Sequence, residues 1–261
     1  AAALTAGALA ASLQAQGVEA ELHPWLPDCL LLRHTGSLEG LEEFRQGLFY
    51  IQDAAACLAV LAAAPQPGWR VLDACAAPGG KSFAAAIAMK NRGSITSCDI
   101  HPHKLRLIEA GYQRLGLDII RANLLDGKER KAELLNSFDL VIADVPCSGL
   151  GIIRKKPDIR YKDPKPLENL PKVQAAILDN VADYVRPGGV LLYATCTLLE
   201  RENEDVVRAF LDRHSNFTVE GFQSPGPFAD TDTGMLTCWP HRHGTDGFFF
   251  ARLRRKDDGN L

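Results

Sequence analysis

The stretch WRVLDACAAPGGKS, residues 69–82, decides the fold of this chain. Its first half is an apolar run that ends at Asp73, which predicts a strand buried on both faces, as in a parallel sheet. Its second half holds Pro78, Gly79 and Gly80, which predict a tight turn that leads into a helix. A strand, a glycine-rich turn and a helix in this order are typical of a doubly wound α/β sheet, where ligands bind at the carboxyl ends of the strands.

The same alternation continues along the chain. Strand-like apolar runs lie at 93–100, 139–145, 189–196 and 247–255, with a weaker run at 118–122. Helical patterns separate them, and the last two of these patterns are predicted to end at Gly116 and at the Pro-Gly-Gly of 187–189. We therefore predict an α/β protein with a doubly wound, Rossmann-like sheet.

The chain also divides into segments of different pattern. Residues 1–48 combine an Ala-rich helical start with a strand-like stretch, which predicts a small N-terminal α+β subdomain. We assign residues 49–256 to the catalytic domain and residues 257–261 to a tail. The chain opens on Ala1 rather than Met.

Composition excludes several classes of protein. The 261 residues are 46% apolar and 23% charged, as in soluble globular proteins, and no apolar stretch is long enough to cross a bilayer. The seven cysteines form no CxxC pair and no Cys/His ligand spacing, which argues against a disulfide framework and against a metal site. We expect free thiols in the cytoplasm and, by default, a monomer. A net charge of −3 gives no global sign of a nucleic-acid partner.

The glycine-rich turn predicts a particular kind of cofactor. It is neither GxGxxG nor a Walker motif, which disfavours a dinucleotide or a triphosphate. Asp99 ends the second predicted strand, where an acidic residue can accept both hydroxyls of a ribose. This combination indicates an adenosine cofactor without a pyrophosphate, such as S-adenosylmethionine. The alternatives are an ordinary strand-to-helix turn and, for Asp99, a helix N-cap.

Two cysteines follow predicted strands. Asp144 and Cys147 come after the run at 139–145, and Cys196 ends the run at 189–196. Because neighbouring parallel strands lie ~5 Å apart, we expect both thiols to face one pocket at the carboxyl edge. Each lies among polar residues, where a thiolate can be exposed and activated.

Four segments carry a family resemblance. Residues 73–82, 144–161, 193–207 and 243–255 together resemble the Sun/Fmu (Nol/Nop/Sun) RNA cytosine-5 methyltransferases, especially the bacterial branch that acts on 16S ribosomal RNA. The resemblance implies a Rossmann-like, S-adenosylmethionine-dependent fold. The helical RNA-binding domain that often precedes this fold in the family has no counterpart here. That predicts either a longer protein or a shorter member of the family.

The resemblance also implies roles for individual residues. Cys196 would attack the cytosine, Cys147 would assist release of the product, and Asp144 would hydrogen-bond the base. The cofactor would be held by the turn and by three acids further along: Cys75, Ala76, Ala77, Pro78, Gly79, Gly80 and Lys81 at the methionine portion, Asp99 at the ribose, Asp126 at the adenine side and Asp144 near the methyl group. For Lys81, a solvated amine at the helix start is the alternative.

A basic segment follows Cys147 and predicts contact with RNA. Its cations and one aromatic residue are Arg154, Lys155, Lys156, Arg160, Tyr161 and Lys162. The alternative for such a run is a solvated face. Three other functions remain open: the same chemistry on tRNA, the same chemistry on DNA, and an inactive RNA-binding module. Cys196 argues against DNA, because a DNA-type enzyme needs no second thiol there.

Overall fold

The computed structural model describes residues 5–161, 163, 165–228 and 231–257. It begins with α1 (Ala6–Ala15), an antiparallel hairpin of β1 (Glu19–Leu22) and β2 (Leu30–Arg33), and the short α2 (Glu42–Arg45). These elements enclose a small apolar cluster of their own, centred on Leu13. The predicted mixture of helix and strand is therefore present, while residues 1–4 of the proposed subdomain lie outside the described part.

The elements of the large sheet follow in chain order. They are α3 (Ala54–Ala63), β3 (Arg70–Asp73), α4 (Gly80–Ala88), β4 (Ser94–Asp99), α5 (Pro102–Leu115), β5 (Ile120–Leu124), β6 (Phe138–Asp144), α6 (Leu170–Ala182), β7 (Val185–Thr195), α7 (Glu204–Arg213), β8 (Phe217–Val219), β9 (Met235–Cys238), α8 (Pro240–His243) and β10 (Phe248–Arg255). None of the described helices is long and apolar enough to cross a membrane.

The strands form one mixed sheet in the order β5-β4-β3-β6-β7-β10-β8, and β9 pairs with β10. The five strands from β5 to β7 are parallel, and β10 runs antiparallel to β7. The chain winds outward from β3 in one direction and from β6 in the other. The carboxyl ends of β3 and β6 therefore flank the point where doubly wound sheets bind ligands.

Helices cover both faces of this sheet. Along β6, Leu140 and Ile142 pack into the cluster that contains α3 and α4, whereas Val141 and Ala143 pack against α6 and α7. Alternate side chains of one strand thus enter opposite cores, because successive Cβ atoms point to opposite faces. The doubly wound α/β fold predicted from the sequence is confirmed.

The ends of the helices are predicted less accurately than the presence of the helices themselves. Helix α5 ends at Gly116, which has φ 64°, as predicted. The predicted helix end at residues 187–189 is wrong: α6 ends at Ala182, and β7 has already begun at Val185. The reason is strand pairing, since Phe138 of β6 pairs with Val185 and draws the chain into the sheet before the glycines.

The N-terminal elements are fixed to the large sheet through Arg114 of α5. Its guanidinium donates to the carbonyls of Phe44 and Phe49 at 2.7 and 2.9 Å, and lies 3.8 Å from the centre of the Phe44 ring. This contact anchors the chain just before it runs through Gln52 into α3, beside the glycine-rich turn.

Candidate active site

Two thiols meet at the carboxyl edge of the sheet. Strands β6 and β7 are neighbours, with Asp144 opposite Ala194, and the chain leaves each strand through a cysteine loop. The sulfurs of Cys147 and Cys196 lie 3.3 Å apart. The structure thus brings together the two thiols that the sequence placed at neighbouring strand ends.

Backbone and hydroxyl contacts join the two cysteine loops. The amide of Gly151 donates to the carbonyl of Cys196 at 2.9 Å, and the hydroxyls of Ser148 and Thr197 share a 2.7 Å hydrogen bond. The amide of Gly247, just before β10, donates to the carbonyl of Gly151 at 2.9 Å. Three loops are therefore held against one another directly beside the thiols.

A buried acid holds the Cys147 loop from the other side. Glu202 is fully buried, and its Oε2 accepts hydrogen bonds from the Ser148 amide and from Gln174 Nε2, both at 2.9 Å. Gln174 also donates to the carbonyl of Pro146 at 3.0 Å. A residue that follows Cys196 in sequence thus positions the loop that carries Cys147.

Asn203 fixes the loop that follows Cys196. Its Oδ1 accepts from the hydroxyl of Thr195 at 2.5 Å, and its Nδ2 donates to the carbonyl of Thr197 at 3.1 Å. The roles of Glu202, Asn203 and Gln174 are not predicted by the sequence patterns. The one available signal was an asparagine amid acids after a thiol-bearing turn, a residue type that commonly bonds nearby backbone.

Lys81 lies on the catalytic side of the glycine-rich turn. It stands in the first turn of α4, and its Nζ donates to Asp144 Oδ2 at 2.5 Å. The side chain is only 10% exposed, and its ammonium lies 5.1 Å from the centre of the Phe248 ring. The alternative of a solvated amine is therefore wrong.

The electrostatics distinguish the two thiols. The hydrogen bond from Cys147 and the nearby Lys81 ammonium lower the pKa of Cys196, and they outweigh the opposing effects of burial and of Asp144. The hydrogen bond with Cys196 and burial raise the pKa of Cys147. Of the two thiols, Cys196 is therefore the one that loses its proton more readily.

The glycine-rich turn has the features of a cofactor cradle. Gly79 has φ 115°, and a Cβ there would lie 2.4 Å from the Phe83 ring, so only glycine fits. A Cβ on Gly80 would lie 3.1 Å from Gln52 Nε2, a buried amide nitrogen with no hydrogen-bond partner in the described chain. A glycine-rich helix start beside an unused donor suits a ligand with a carboxylate, as in the methionine portion of S-adenosylmethionine.

A buried acid supports the turn from beneath. Asp73, the last residue of β3, accepts a 2.8 Å hydrogen bond from Ser82, and Ser97 donates to Ser82 at 2.6 Å. Burial raises the pKa of Asp73 to about 7. The rest of the turn is apolar: Ala76 is buried, and burial raises the pKa of the Cys75 thiol.

Two further acids lie at neighbouring strand ends. Asp99 Oδ1 accepts from the amide of His101 at 2.9 Å, but His101, not Asp99, is the N-cap residue of α5, so the alternative of an N-cap for Asp99 is wrong. Asp126 follows β5, the strand beside β4, and its Oδ1 accepts from the amide of Lys128 at 2.9 Å. The residues predicted for ribose and adenine are thus on adjacent strands, and the arrangement fits an adenosine.

Two exposed cations of the basic segment form ion pairs with carboxylates of other elements. Lys155 Nζ lies 2.7 Å from Asp246 Oδ2 and 3.0 Å from Asp53 Oδ2, and Arg154 lies 3.6 Å from Asp246 Oδ1. Asp53 also caps α3 through the amide of Ala55. Because these cations neutralise buried or half-buried carboxylates, they tie the segment to α3 and to the approach to β10.

The other described cations of this segment and its aromatic residue are exposed and have no carboxylate partner within the described residues. Lys156 and Arg160 are exposed, and Tyr161 is 83% exposed. Lys162 lies outside the described residues. Of the group predicted to contact RNA, the side chains free to do so are therefore Lys156, Arg160 and Tyr161, and that role stays a prediction.

The fold and the cradle define a class of protein. A doubly wound sheet with a glycine-rich turn after its central strand, and acids on the next two strands, is that of an S-adenosylmethionine-dependent methyltransferase. Residues 60–254 match the sequence model of the family described as 16S rRNA methyltransferase RsmB/F. The chain belongs to that family.

Individual relatives agree with this assignment. The chain is 40% identical over 252 residues to a probable ribosomal RNA small subunit methyltransferase B of Bacillus subtilis, covering 94% of this chain and 56% of that protein. The solved structure of a protein named PH0851 is 30% identical with a TM-score of 0.89, over 95% of this chain and 56% of that one. NSun6 from Pyrococcus horikoshii, solved with an analogue of S-adenosylmethionine, is also 30% identical, with a TM-score of 0.75 over 85% and 57% of the two chains. The chain thus spans about half the length of these relatives.

Proposed function

We propose that this chain methylates carbon 5 of a cytosine in RNA, with 16S ribosomal RNA as the substrate, through a covalent adduct on Cys196. The observation that carries the proposal is the pair of sulfurs 3.3 Å apart at the mouth of the sheet. Cytosine-5 methylation needs one group that adds to the ring and a second that helps to release it. The names of the relatives, which are rRNA small subunit methyltransferases, support RNA as the substrate.

Cys196 starts the reaction because its thiolate is the nucleophile. It forms a bond to carbon 6, and the electrons of the 5,6 double bond make carbon 5 nucleophilic. S-adenosylmethionine, when bound in the cradle, supplies the methyl group that carbon 5 accepts. Asp144, fixed by Lys81, hydrogen-bonds the exocyclic amine or the protonated ring nitrogen and so stabilises the charge that develops in the ring.

Cys147 acts in the second half of the reaction. Its pKa is raised while the Cys196 sulfur is an anion beside it. Once Cys196 is bonded to carbon, that negative charge is gone, so Cys147 can release its proton to solvent and, as a thiolate, accept the proton at carbon 5. The electron pair of the C–H bond then re-forms the double bond, the bond between sulfur and carbon 6 breaks, and the thiolate of Cys196 is restored.

A trapping assay tests these roles. Cys147→Ala and Cys196→Ala proteins are incubated with unmodified ribosomal RNA and S-adenosylmethionine, and RNA-linked protein is sought on a denaturing gel. We expect an adduct with Cys147→Ala and none with Cys196→Ala, because loss of the release thiol strands the intermediate. Cys29→Ala, a half-buried thiol away from the site, serves as the control and should behave like the wild type.

Other outcomes separate the alternatives. An adduct with Cys196→Ala alone would make Cys147 the nucleophile and favour a DNA-type mechanism, which parallel incubations with DNA would detect. Parallel incubations with transfer RNA test the alternative that tRNA is the substrate. Binding of RNA by wild-type protein without any methyl transfer would identify an inactive RNA-binding module and overturn the proposal.

A further inference from the structure

A groove with an apolar floor lies next to the thiols, outside the cofactor cradle. Its volume is about 650 Å³. The floor is formed by five aliphatic side chains, Leu150, Ile153, Ile159, Leu167 and Leu199. Arg160 of the basic segment borders this groove, whereas the two thiols, Asp144 and the cofactor cradle do not line it.

The position of the groove connects it to the reacting base. Leu150 follows Cys147 closely in the chain, and Leu199 follows Cys196 in the same way. The two cysteine loops are bonded to each other, and each of them contributes a side chain to the floor. A polynucleotide that places one base against Cys196 must carry its adjoining residues past this surface.

The charges at the rim favour a polyanion. The two acids there, Glu200 and Asp205, are both paired with Arg208, at 3.2 and 3.3 Å. The two rim arginines, Arg160 and Arg201, have no carboxylate partner within the described residues and are exposed. The rim therefore presents two unpaired guanidinium groups, which suit phosphates.

From this arrangement we infer that the groove binds the nucleotide that flanks the target cytosine. Its base packs on the aliphatic floor, and its phosphates contact Arg160 and Arg201. The target base must be turned out of any stack to reach a thiol at the sheet edge, so a neighbouring base loses its stacking partner and gains one in the groove. This inference rests on the proposed function.

Steady-state kinetics with ribosomal RNA test the inference. The double variant Arg160→Ala/Arg201→Ala should raise the KM for RNA about tenfold, equivalent to about 1.4 kcal/mol, and leave the KM for S-adenosylmethionine unchanged. Arg92→Ala is the matched control. It removes the same charge from an exposed position just before β4, at the opposite edge of the sheet, and should not change either KM.

A second arm addresses the floor. Bisulfite sequencing of wild-type product locates the methylated cytosine, and transcripts are then ligated with an abasic site on either side of it. One of the two abasic transcripts should raise the KM for RNA of the wild type. The increase should be smaller in Leu167→Ala, because this variant has already lost part of the contact with the base.

The outcomes are distinguishable. Wild-type kinetics in the double arginine variant, or a loss equal to that of Arg92→Ala, would overturn the groove and leave the proposed function intact. Equal losses for abasic RNA in wild type and Leu167→Ala would overturn base packing on the floor. Failure of the wild type to methylate any RNA cytosine would overturn the proposed function and the groove with it.

Discussion

The amide of Gly151 donates to the carbonyl of Cys196 at 2.9 Å, so the loop after one thiol is bonded to the loop of the other. A Cβ on Gly151 would lie 1.9 Å from the carbonyl oxygen of Gly247 and 2.8 Å from that of Cys196. Both are backbone atoms and cannot rotate away.

We therefore expect Gly151→Ala to push the loops apart and lower kcat roughly 100-fold, as small displacements of catalytic groups do. Methyl transfer to RNA measures the loss, and circular dichroism shows whether the fold survives. Gly40→Ala is the control, because a Cβ there meets open space. A folded Gly151→Ala protein with full activity would show that the contact does not position the thiols.

Glu202 is expected to stabilise the fold as well as the site. Glu202→Ala leaves the Ser148 amide and the Gln174 side chain without their buried acceptor, and each unsatisfied group costs about 1–3 kcal/mol. Urea unfolding should show a loss of this order, with much of it restored in Glu202→Gln. Glu200→Ala, an exposed acid in the same run, should change stability by less than ~0.5 kcal/mol. Equal stabilities for the two alanine variants would contradict the assignment.

The reactivity of Cys196 should depend on pH in a defined direction. Because its pKa is lowered, the thiolate fraction of Cys196, and with it the rate of alkylation, should rise with pH with a midpoint below that of an ordinary thiol. Cys147→Ala should move the midpoint upward, because the hydrogen bond from Cys147 is the largest cause of the lowering. Lys81→Met should move it upward by less. Iodoacetamide labelling followed by peptide mass spectrometry gives the pH profile of Cys196 alkylation in the wild type and in both variants. Unchanged midpoints would show that Cys147 and Lys81 do not lower the pKa of Cys196.

Asp73 should make folding stability depend on pH. Burial raises its pKa to about 7 in the folded protein, above its value in the unfolded chain. The unfolded state therefore releases the proton more readily, and stability falls as pH rises from about 4 to about 7, by at most roughly 1.4 kcal/mol per pH unit. Asp73→Asn cannot ionise. The difference in melting temperature between variant and wild type should thus shift in favour of the variant from pH 5 to pH 8, and a constant difference would contradict this.

The sequence predicts features that depend on local residue patterns better than features that depend on contacts between residues far apart in the chain. The glycine-rich turn, the acids at strand ends and the thiols follow from residue type and the alternation of strands and helices. The partners of Glu202 do not, because Ser148 is 54 residues away and its position depends on how β6 and β7 pair. In the same way, strand pairing overrides the Pro-Gly-Gly helix stop, and the carboxylate partners of Lys155 lie 102 and 91 residues away in the chain, where the local pattern of the basic segment does not reveal them.

The ion cluster of Asp53, Lys155 and Asp246 changes how the basic segment interacts with its surroundings. Cationic side chains that bind RNA displace small ions from the phosphates. The steepness of the salt dependence of affinity therefore increases with the number of such side chains. Lys155 and Arg154 are already paired with carboxylates of the protein. We therefore expect them to add little to the salt dependence of RNA binding, despite the basic composition of the segment. The carboxylates of Asp53 and Asp246 neutralise these cations within the protein. If the proposed function holds, Asp53→Asn together with Asp246→Asn leaves the two cations unpaired, and we expect the salt dependence of RNA binding to become steeper.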